Sequence, residues 1–185
     1  RENGRITLRG DAGGEQLYWD MPSRIRITAR GEPFVAALLV PAMTTGRDLV
    51  LPGDLPVDAE FLRSVDELQE IFVRWFPGLR HVAIETGTIA PGPPATGRFA
   101  GYSGGVDSSY TLMRLGAGLD GVVLVDGIEY AEPQDRLMAE VEQRLRNEVE
   151  NLGLTFLRVA TNSKQVGRRL GGHWHQFIGG SLASV

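Results

Sequence analysis

The sequence predicts an α/β protein in which a parallel sheet covered by helices follows a small, β-rich α+β domain. After residue 98, short apolar runs alternate with amphipathic helical patterns, as in a parallel sheet. Before residue 90, charged and apolar residues alternate in the manner of half-buried strands. Residues 91–97 between them are dense in Pro and Gly, which disfavour both helix and strand. We therefore predict an N-terminal domain over residues 1–90, a linker over 91–97 and an α/β domain over 98–185.

Within the N-terminal domain the patterns predict three strands and one helix. Residues 5–9 and 24–28 alternate charged and apolar side chains, the period of a strand with one buried face. Residues 34–40 form a continuous apolar run that is typical of a buried strand, and Pro41 should end it. Over residues 58–76 apolar positions recur at steps of three and four, which indicates an amphipathic helix.

In the α/β domain we predict strands over residues 98–102, 121–125 and 154–159. Between the last two, residues 132–152 carry an apolar stripe at four-residue steps, and Gly153 follows as a helix stop. Three strands make a sheet with a bare edge. We therefore expect further strands in the parent protein, in a second fragment or in residues that this sequence lacks.

The composition excludes some classes of function and favours others. The chain has 185 residues, of which 42% are hydrophobic and 23% charged, enough for a sizeable core. A net charge of −4 gives no overall attraction to nucleic acid, so a small-molecule or peptide partner is favoured. Because there is no cysteine, a catalytic thiol and a thiolate zinc site are excluded in this chain. The apolar runs are too short to cross a bilayer, and we expect a cytoplasmic protein without a membrane partner.

A Gly- and Ser-rich segment joins the first strand of the α/β domain to the next helix. Residues 103–109 are Ser-Gly-Gly-Val-Asp-Ser-Ser. A strand, a Gly-rich turn and a helix start together present unpaired N–H groups and the positive end of the helix dipole, which suits phosphate. Gly104 and Gly105 let the backbone approach the oxygens, and Asp107 can hold either the loop itself or a magnesium ion that bridges phosphates. No lysine follows as in the phosphate loop of kinases and GTPases.

The residues 103–108 resemble the signature of the N-type ATP pyrophosphatase (PP-loop) family, which includes GMP, NAD and asparagine synthetases. Val-Leu-Val-Asp-Gly over residues 123–127 is similar to the end of the second strand in GMP synthetase-like members, where the family holds adenine. Residues 158–161 occupy the corresponding end of the third strand. The resemblance covers residues 98–185 and implies a nucleotide alpha hydrolase-like (Rossmann-like) fold whose C-terminal strands are missing from this chain.

The resemblance also implies the ligands and the roles of individual residues. ATP and Mg²⁺ are the implied ligands, with Ser103, Asp107 and Ser108 as catalytic residues and Asp107 as the magnesium ligand. In the implied reaction, a carbonyl or carboxylate oxygen attacks the α-phosphorus of ATP, pyrophosphate leaves, and an amine or ammonia then displaces AMP. The residues implied to contact ATP are Gly101, Tyr102, Ser103, Gly104, Gly105, Val106, Asp107, Ser108, Ser109, Val125, Asp126 and Thr161.

We therefore expect an ATP-dependent ligase or amidotransferase-like enzyme that forms AMP and pyrophosphate and acts on a small-molecule or peptide acceptor. Two alternatives remain. One is a tRNA-modifying enzyme of the same family, which the net charge of −4 disfavours because it does not attract RNA. The other is a non-catalytic nucleotide-binding subunit with a regulatory or assembly role. The open sheet edge is compatible with a homo-oligomer or a partner subunit.

Overall fold

The computed structural model describes residues 4–94, 96–128 and 135–185, and only the backbone of Asp135, Arg136 and Trp174. The strands in these ranges are β1 (Arg5–Ala12), β2 (Glu15–Pro22), β3 (Leu49–Val50), β4 (Ile84–Glu85), β5 (Phe99–Gly101), β6 (Gly121–Asp126) and β7 (Thr155–Thr161). The helices are α1 (Glu32–Thr45), α2 (Ala59–Trp75), α3 (Val106–Leu115), α4 (Asp135–Asn151), α5 (Ser163–Arg169) and α6 (Trp174–Ala183). None of these helices is both long and apolar enough to span a membrane.

The main sheet has the strand order β1-β2-β7-β6-β5. β5, β6 and β7 are parallel, whereas β2 pairs antiparallel with β7 through Trp19 opposite Thr161. The α/β class is therefore confirmed, but the sheet is mixed. Further strands do accompany the three that were predicted for this sheet, but they come from the N-terminal half of the chain, because the hairpin of β1 and β2 extends the sheet beside β7. Gly13 and Gly14 close this hairpin with φ of 60° and 86°, the left-handed backbone that a tight hairpin turn requires.

The three strands predicted in the second half of the chain are confirmed as β5, β6 and β7. The long helix between the last two is also confirmed as α4, although residues 132–134 of the prediction lie outside the described residues. The helix predicted over residues 58–76 is α2. Its start is set by Asp58, whose Oδ1 accepts hydrogen bonds from the N–H groups of Glu60 (2.7 Å) and Phe61 (3.2 Å), as an N-cap does.

Two predicted strands are wrong. Residues 34–40 belong to α1, in which apolar side chains such as Val35, Leu39 and Met43 are buried. A helix that is apolar on most of its circumference has no polar face, so its sequence lacks the helical period and resembles a buried strand. Pro41 lies inside this helix rather than after a strand. Residues 24–28 form no strand; the Arg24 side chain instead donates a hydrogen bond to the carbonyl of Phe156 (3.0 Å).

The chain packs into two compact units, each assembled from separate segments. As far as they are described, the sheet unit comprises Arg1–Arg9, Tyr18–Arg26 and Pro94–Asn162, and the helical unit comprises Gly10–Leu17, Ile27–Pro93 and Ser163–Val185. One change of unit, at Pro94, falls inside the segment predicted as a linker over 91–97, of which Ala95 lies outside the described residues. The division into domains over 1–90 and 98–185 stays a prediction.

Each unit has a core of its own. In the sheet unit, side chains from β6, β7 and the helices α3 and α4 form one buried cluster that includes Leu112, Val122, Leu145 and Phe156. In the helical unit, α1 is the centre of the core, and its apolar residues pack with side chains that include Phe177 of α6. The candidate loop and the ends of β5, β6 and β7 therefore all belong to the sheet unit.

An ion pair organises the start of α1 in the helical unit. The Arg30 guanidinium binds both carboxylate oxygens of Glu32, at 2.6 to 3.0 Å, and donates to the carbonyl of Ala90 (2.8 Å). Glu32 also accepts a hydrogen bond from the N–H of Asp58 (2.8 Å). Burial would raise the pKa of Glu32, but the hydrogen bonds from Arg30 and from backbone N–H groups outweigh it, so this pKa lies below its usual value. The ionised carboxylate thus links the starts of α1 and α2 to residue 90.

We predict that Glu32→Gln lowers the free energy of unfolding at pH 7 by about 1–3 kcal/mol, the usual effect of losing hydrogen bonds to a charged group. Because the folded pKa is depressed, this stabilisation is complete above the unfolded pKa, near 4.5, and is lost as pH falls through the folded pKa. Urea unfolding of both proteins from pH 7 downward measures this. The difference should shrink below about pH 4.5, whereas the exposed control Glu67→Gln should have little effect throughout.

Candidate functional site

The loop between β5 and α3 depends on Gly104. Its φ is +75°, in the left-handed region, and a Cβ at this position would lie 2.6 Å from Cδ2 of Leu145 in α4. A larger residue would therefore meet both backbone strain and a steric clash. Gly105 differs, because its φ is −79° and a Cβ there would approach nothing closer than Oγ of Ser103 at 3.5 Å. The sequence thus places glycine where the turn requires it.

Helix α3 begins without a side-chain cap. Gly105 is its N-cap residue and has no side chain to accept a hydrogen bond. The first hydrogen bond of the helix runs from the N–H of Ser109 to the carbonyl of Gly105 (2.9 Å). The preceding N–H groups of Val106, Asp107 and Ser108 have no acceptor within the helix. The positive end of the helix dipole therefore lies at this exposed loop.

Two of the serines predicted for the site lie together in the loop. Oγ of Ser108 donates to the carbonyl of Gly105 (3.1 Å) and lies 3.5 Å from Oγ of Ser103. The N–H of Ser103 is in turn 3.4 Å from Oγ of Ser108. Asp107 is exposed in the first turn of α3, where a carboxylate is favoured by the helix dipole. The loop thus combines hydroxyl groups, backbone N–H groups and one acidic side chain.

The ends of the next two strands lie along the same edge of the sheet. The parallel register pairs Gly101 with Val123, and Asp126 with Ala160. The carboxyl ends of β5, β6 and β7 therefore stand side by side, and this edge is where ligands bind in open α/β sheets. The structure brings Val125, Asp126 and Thr161 to the edge on which the loop begins, as the sequence analysis expects.

At the end of β6, Gly127 adopts φ of +95°. A Cβ at this position would lie 1.9 Å from the carbonyl oxygen of Thr161, so the backbones of β6 and β7 approach each other closely here. Thr161 is buried and therefore offers little of its side chain to a ligand. Tyr102 is also buried; its N–H donates to the carbonyl of Val123 (2.9 Å), and its hydroxyl donates to Glu148 (3.3 Å).

The carboxylate of Asp126 forms an ion pair with Arg158 of β7. Arg158 also binds Glu142 of α4 at 3.0 Å, and Glu142 in turn binds Arg146 at 2.6 Å. The guanidinium of Arg146 lies over the ring of Phe156, 4.7 Å from its centre, close enough for a cation–π interaction. Burial would lower the pKa of Arg158, but Asp126 and Glu142 outweigh it and raise this pKa above its usual value.

Arg158 lies in residues 158–161 at the end of the third strand, but the sequence alone indicates no role for it. A cation in the middle of an otherwise apolar strand is a signal, because arginine is rarely buried without an anionic partner. The identity of that partner depends on the pairing of β6 with β7 and on the position of α4, which a local pattern does not contain. The ion pair leaves Asp126 with a neutralised charge at the strand end.

Within the described ranges, no group of three or more His, Asp or Glu side chains is placed to hold a metal ion. A preformed cage of carboxylates is therefore absent from that part of the chain. Asp107 remains as a single exposed carboxylate in the loop, and Mg²⁺ in nucleotide sites commonly takes one or two carboxylates together with phosphate oxygens and water. No protein-family model, curated protein or solved structure matches this chain.

We predict that Arg158→Gln lowers the free energy of unfolding by about 1–3 kcal/mol, because it leaves Asp126 without its cation and leaves Glu142 with Arg146 alone. Asp126→Asn combined with Arg158→Gln should cost clearly less than the sum of the single changes. Denaturant unfolding of the four proteins measures this coupling. Arg144→Gln is the control, since its ion pair with Glu148 is exposed and 3.8 Å long and should contribute less than about 1 kcal/mol. Strict additivity would contradict the network.

Proposed function

We propose that the sheet unit binds ATP with Mg²⁺ through residues 103–109 and catalyses adenylation of a carbonyl or carboxylate oxygen, with release of pyrophosphate. The protein would then be a ligase of the N-type ATP pyrophosphatase type with a nucleotide alpha hydrolase-like fold. The observation that carries the proposal is the uncapped start of α3 directly after the left-handed Gly104. It occurs in the segment that resembles the family signature and at the carboxyl ends of parallel strands.

The loop supports this proposal by its capacity to bind phosphate. The N–H groups of Val106, Asp107 and Ser108 have no helical acceptor, and the dipole of α3 favours negative charge at the same point. Ser103 and Ser108 place their hydroxyl groups 3.5 Å apart beside these N–H groups. A pyrophosphate group that gains charge as it leaves would be stabilised by such donors without any change in the position of the backbone.

The ends of β6 and β7 offer groups that could contact the nucleoside of ATP. Val125 and Asp126 lie at the end of β6, next to the strand from which the loop emerges. Because Arg158 neutralises Asp126, the carboxylate would repel a phosphate group less than an unpaired one. Its oxygens could still accept hydrogen bonds from a ribose hydroxyl or an amino group. The buried Thr161 would contribute its backbone or the shape of the edge.

The single carboxylate of Asp107 fits a magnesium ion that takes its other ligands from phosphates and water. Bound in this way, Mg²⁺ would neutralise charge on the departing pyrophosphate. Two features of the chain bear on the acceptor. The absence of cysteine excludes a thiol of this chain as the nucleophile, which favours an amine or ammonia. The net charge of −4 favours a small molecule or a peptide over RNA.

Binding of ATP is tested with Gly104→Ala and its matched control Gly105→Ala. The first change places a side chain at φ of +75° against Leu145, which should strain the loop by about 1–2 kcal/mol and weaken ATP binding about tenfold or more. Gly105→Ala meets neither obstacle and should retain most of the affinity. Isothermal titration with ATP and Mg²⁺ measures both. Equal affinities of the two variants would contradict the assignment of the loop.

Catalysis is tested by release of pyrophosphate from ATP and Mg²⁺ in the presence of pooled candidate acceptors. Ser103→Ala and Asp107→Ala should each lower the rate about 100-fold or more, the usual effect of removing a group that stabilises charge in the transition state. Thr111→Val, one turn further along α3, serves as the control. Binding of ATP without release from any pool would favour the non-catalytic subunit. Stimulation by tRNA alone would favour the tRNA-modifying alternative.

A further inference from the structure

Arg144 of α4 lies beside the candidate loop. Its Nη2 atom is 3.7 Å from the position that a Cβ on Gly104 would occupy, and Leu145, the next residue of α4, lies 2.6 Å from the same position. The guanidinium is therefore next to the backbone of the loop at its left-handed residue. The packing of α4, and not the sequence of the loop, thus brings a cation to this place.

Helix α4 has two charged borders, and Arg144 lies on the one that faces β5. At 3.6 residues per turn, the buried Leu145 lies between Glu142 on one side and Arg144 with Glu148 on the other. The border of Glu142 forms its ion pair with β7. On the opposite border, Oε2 of Glu148 accepts a hydrogen bond from the hydroxyl of Tyr102 (3.3 Å), the residue that follows β5. The second border therefore points toward the strand from which the loop begins.

Glu148 binds Arg144 only loosely. Nε of Arg144 is 3.8 Å from Oε1 of Glu148, and the two side chains are 65% and 50% exposed. This distance is too long for a hydrogen bond, and an exposed ion pair contributes at most about 1 kcal/mol. Phosphate oxygens can accept two parallel N–H groups from one guanidinium, which makes a stronger contact. A bound phosphate can therefore replace Glu148 as the partner of Arg144.

The loop itself supplies no cationic side chain. Residues 103–113 contain neither lysine nor arginine, and Asp107 adds a negative charge. The N–H groups at the start of α3 favour an anion, but the helix dipole is equivalent to only about half a positive charge. The triphosphate of ATP carries more negative charge than one Mg²⁺ neutralises. A guanidinium beside the loop would supply the missing positive charge, as arginine and lysine do in other phosphate sites.

We propose that Arg144 binds the phosphates of ATP at the candidate loop and exchanges Glu148 for phosphate oxygens when the nucleotide binds. The inference rests on the proposed function, because it concerns the same site. It adds a binding residue from α4, which lies outside both the loop and the strand ends. Glu148 can keep its hydrogen bond from Tyr102 when Arg144 turns to the phosphates, so the exchange leaves neither carboxylate oxygen buried without water or a donor.

Isothermal titration of the whole chain with inorganic pyrophosphate and with ATP, each with Mg²⁺, tests the proposal. Arg144→Gln should weaken both ligands about tenfold or more, the usual effect of losing hydrogen bonds to a charged group. Arg114→Gln is the matched control, because it removes the same charge from an exposed site in the last turn of α3. That site is about 10 Å along the helix from Asp107, where salt screens most of its effect. Its affinity should stay within about twofold of the natural chain.

Glu148→Gln distinguishes binding by Arg144 from a structural role of the ion pair. Both Glu148→Gln and Arg144→Gln break the same ion pair, but only the second removes the cation. Because Glu148→Gln removes a negative charge near the phosphates and releases Arg144, its affinity should equal or exceed that of the natural chain. Thermal unfolding of each variant establishes that it is folded.

Two results would overturn the role of Arg144 alone. One is an affinity of Arg144→Gln equal to that of the natural chain, and the other is an equal loss of affinity in Arg144→Gln and Glu148→Gln. If Gly104→Ala still weakens binding in the same titrations, the proposed function stands in both cases. A natural chain that binds neither pyrophosphate nor ATP would instead contradict the proposed function, and the role of Arg144 with it.

Discussion

The parallel register of β5, β6 and β7 is the constraint on which the candidate site depends. It brings three strand ends to one edge of the sheet, with Asp126 opposite Ala160 and Gly101 opposite Val123. The loop after β5 can then direct the start of α3 toward a ligand that also contacts the end of β6. Gly104 completes this geometry, because only glycine both accepts φ of +75° and clears Leu145. A shift in the packing of α4 would therefore alter the loop directly.

A series of ion pairs in the sheet unit links the candidate site to the core. Arg158 links Asp126 at the strand end to Glu142 on α4, and Arg146 continues the series to Phe156. Each carboxylate of the series has a cationic partner, so the site edge carries less uncompensated negative charge than its composition suggests. This matters for an acidic chain that is proposed to bind a polyphosphate. The same ion pairs couple the position of α4 to the end of β6.

Local patterns were sufficient for much of the fold and for the candidate loop. The apolar runs of β6 and β7 and the stripe of α4 are each typical of their own element, and residues 103–109 include Gly104, which the turn requires. Local patterns failed where the environment determines the outcome. Helix α1 is buried on most of its circumference and lacks a polar face. The hairpin of β1 and β2 joins β7 across more than 130 residues of chain, and no local pattern specifies that pairing or the partner of Arg158.

Binding of phosphate at the start of α3 is tested by titration with inorganic pyrophosphate, followed in ¹H–¹⁵N spectra of the chain. We expect saturable shifts of the amide resonances of Val106, Asp107 and Ser108, because their N–H groups would donate to the anion. Mg²⁺ should enhance these shifts. If these resonances stay unchanged while others move, for example those of the basic helix α5, the anion binds elsewhere. That result would contradict phosphate binding at the start of α3.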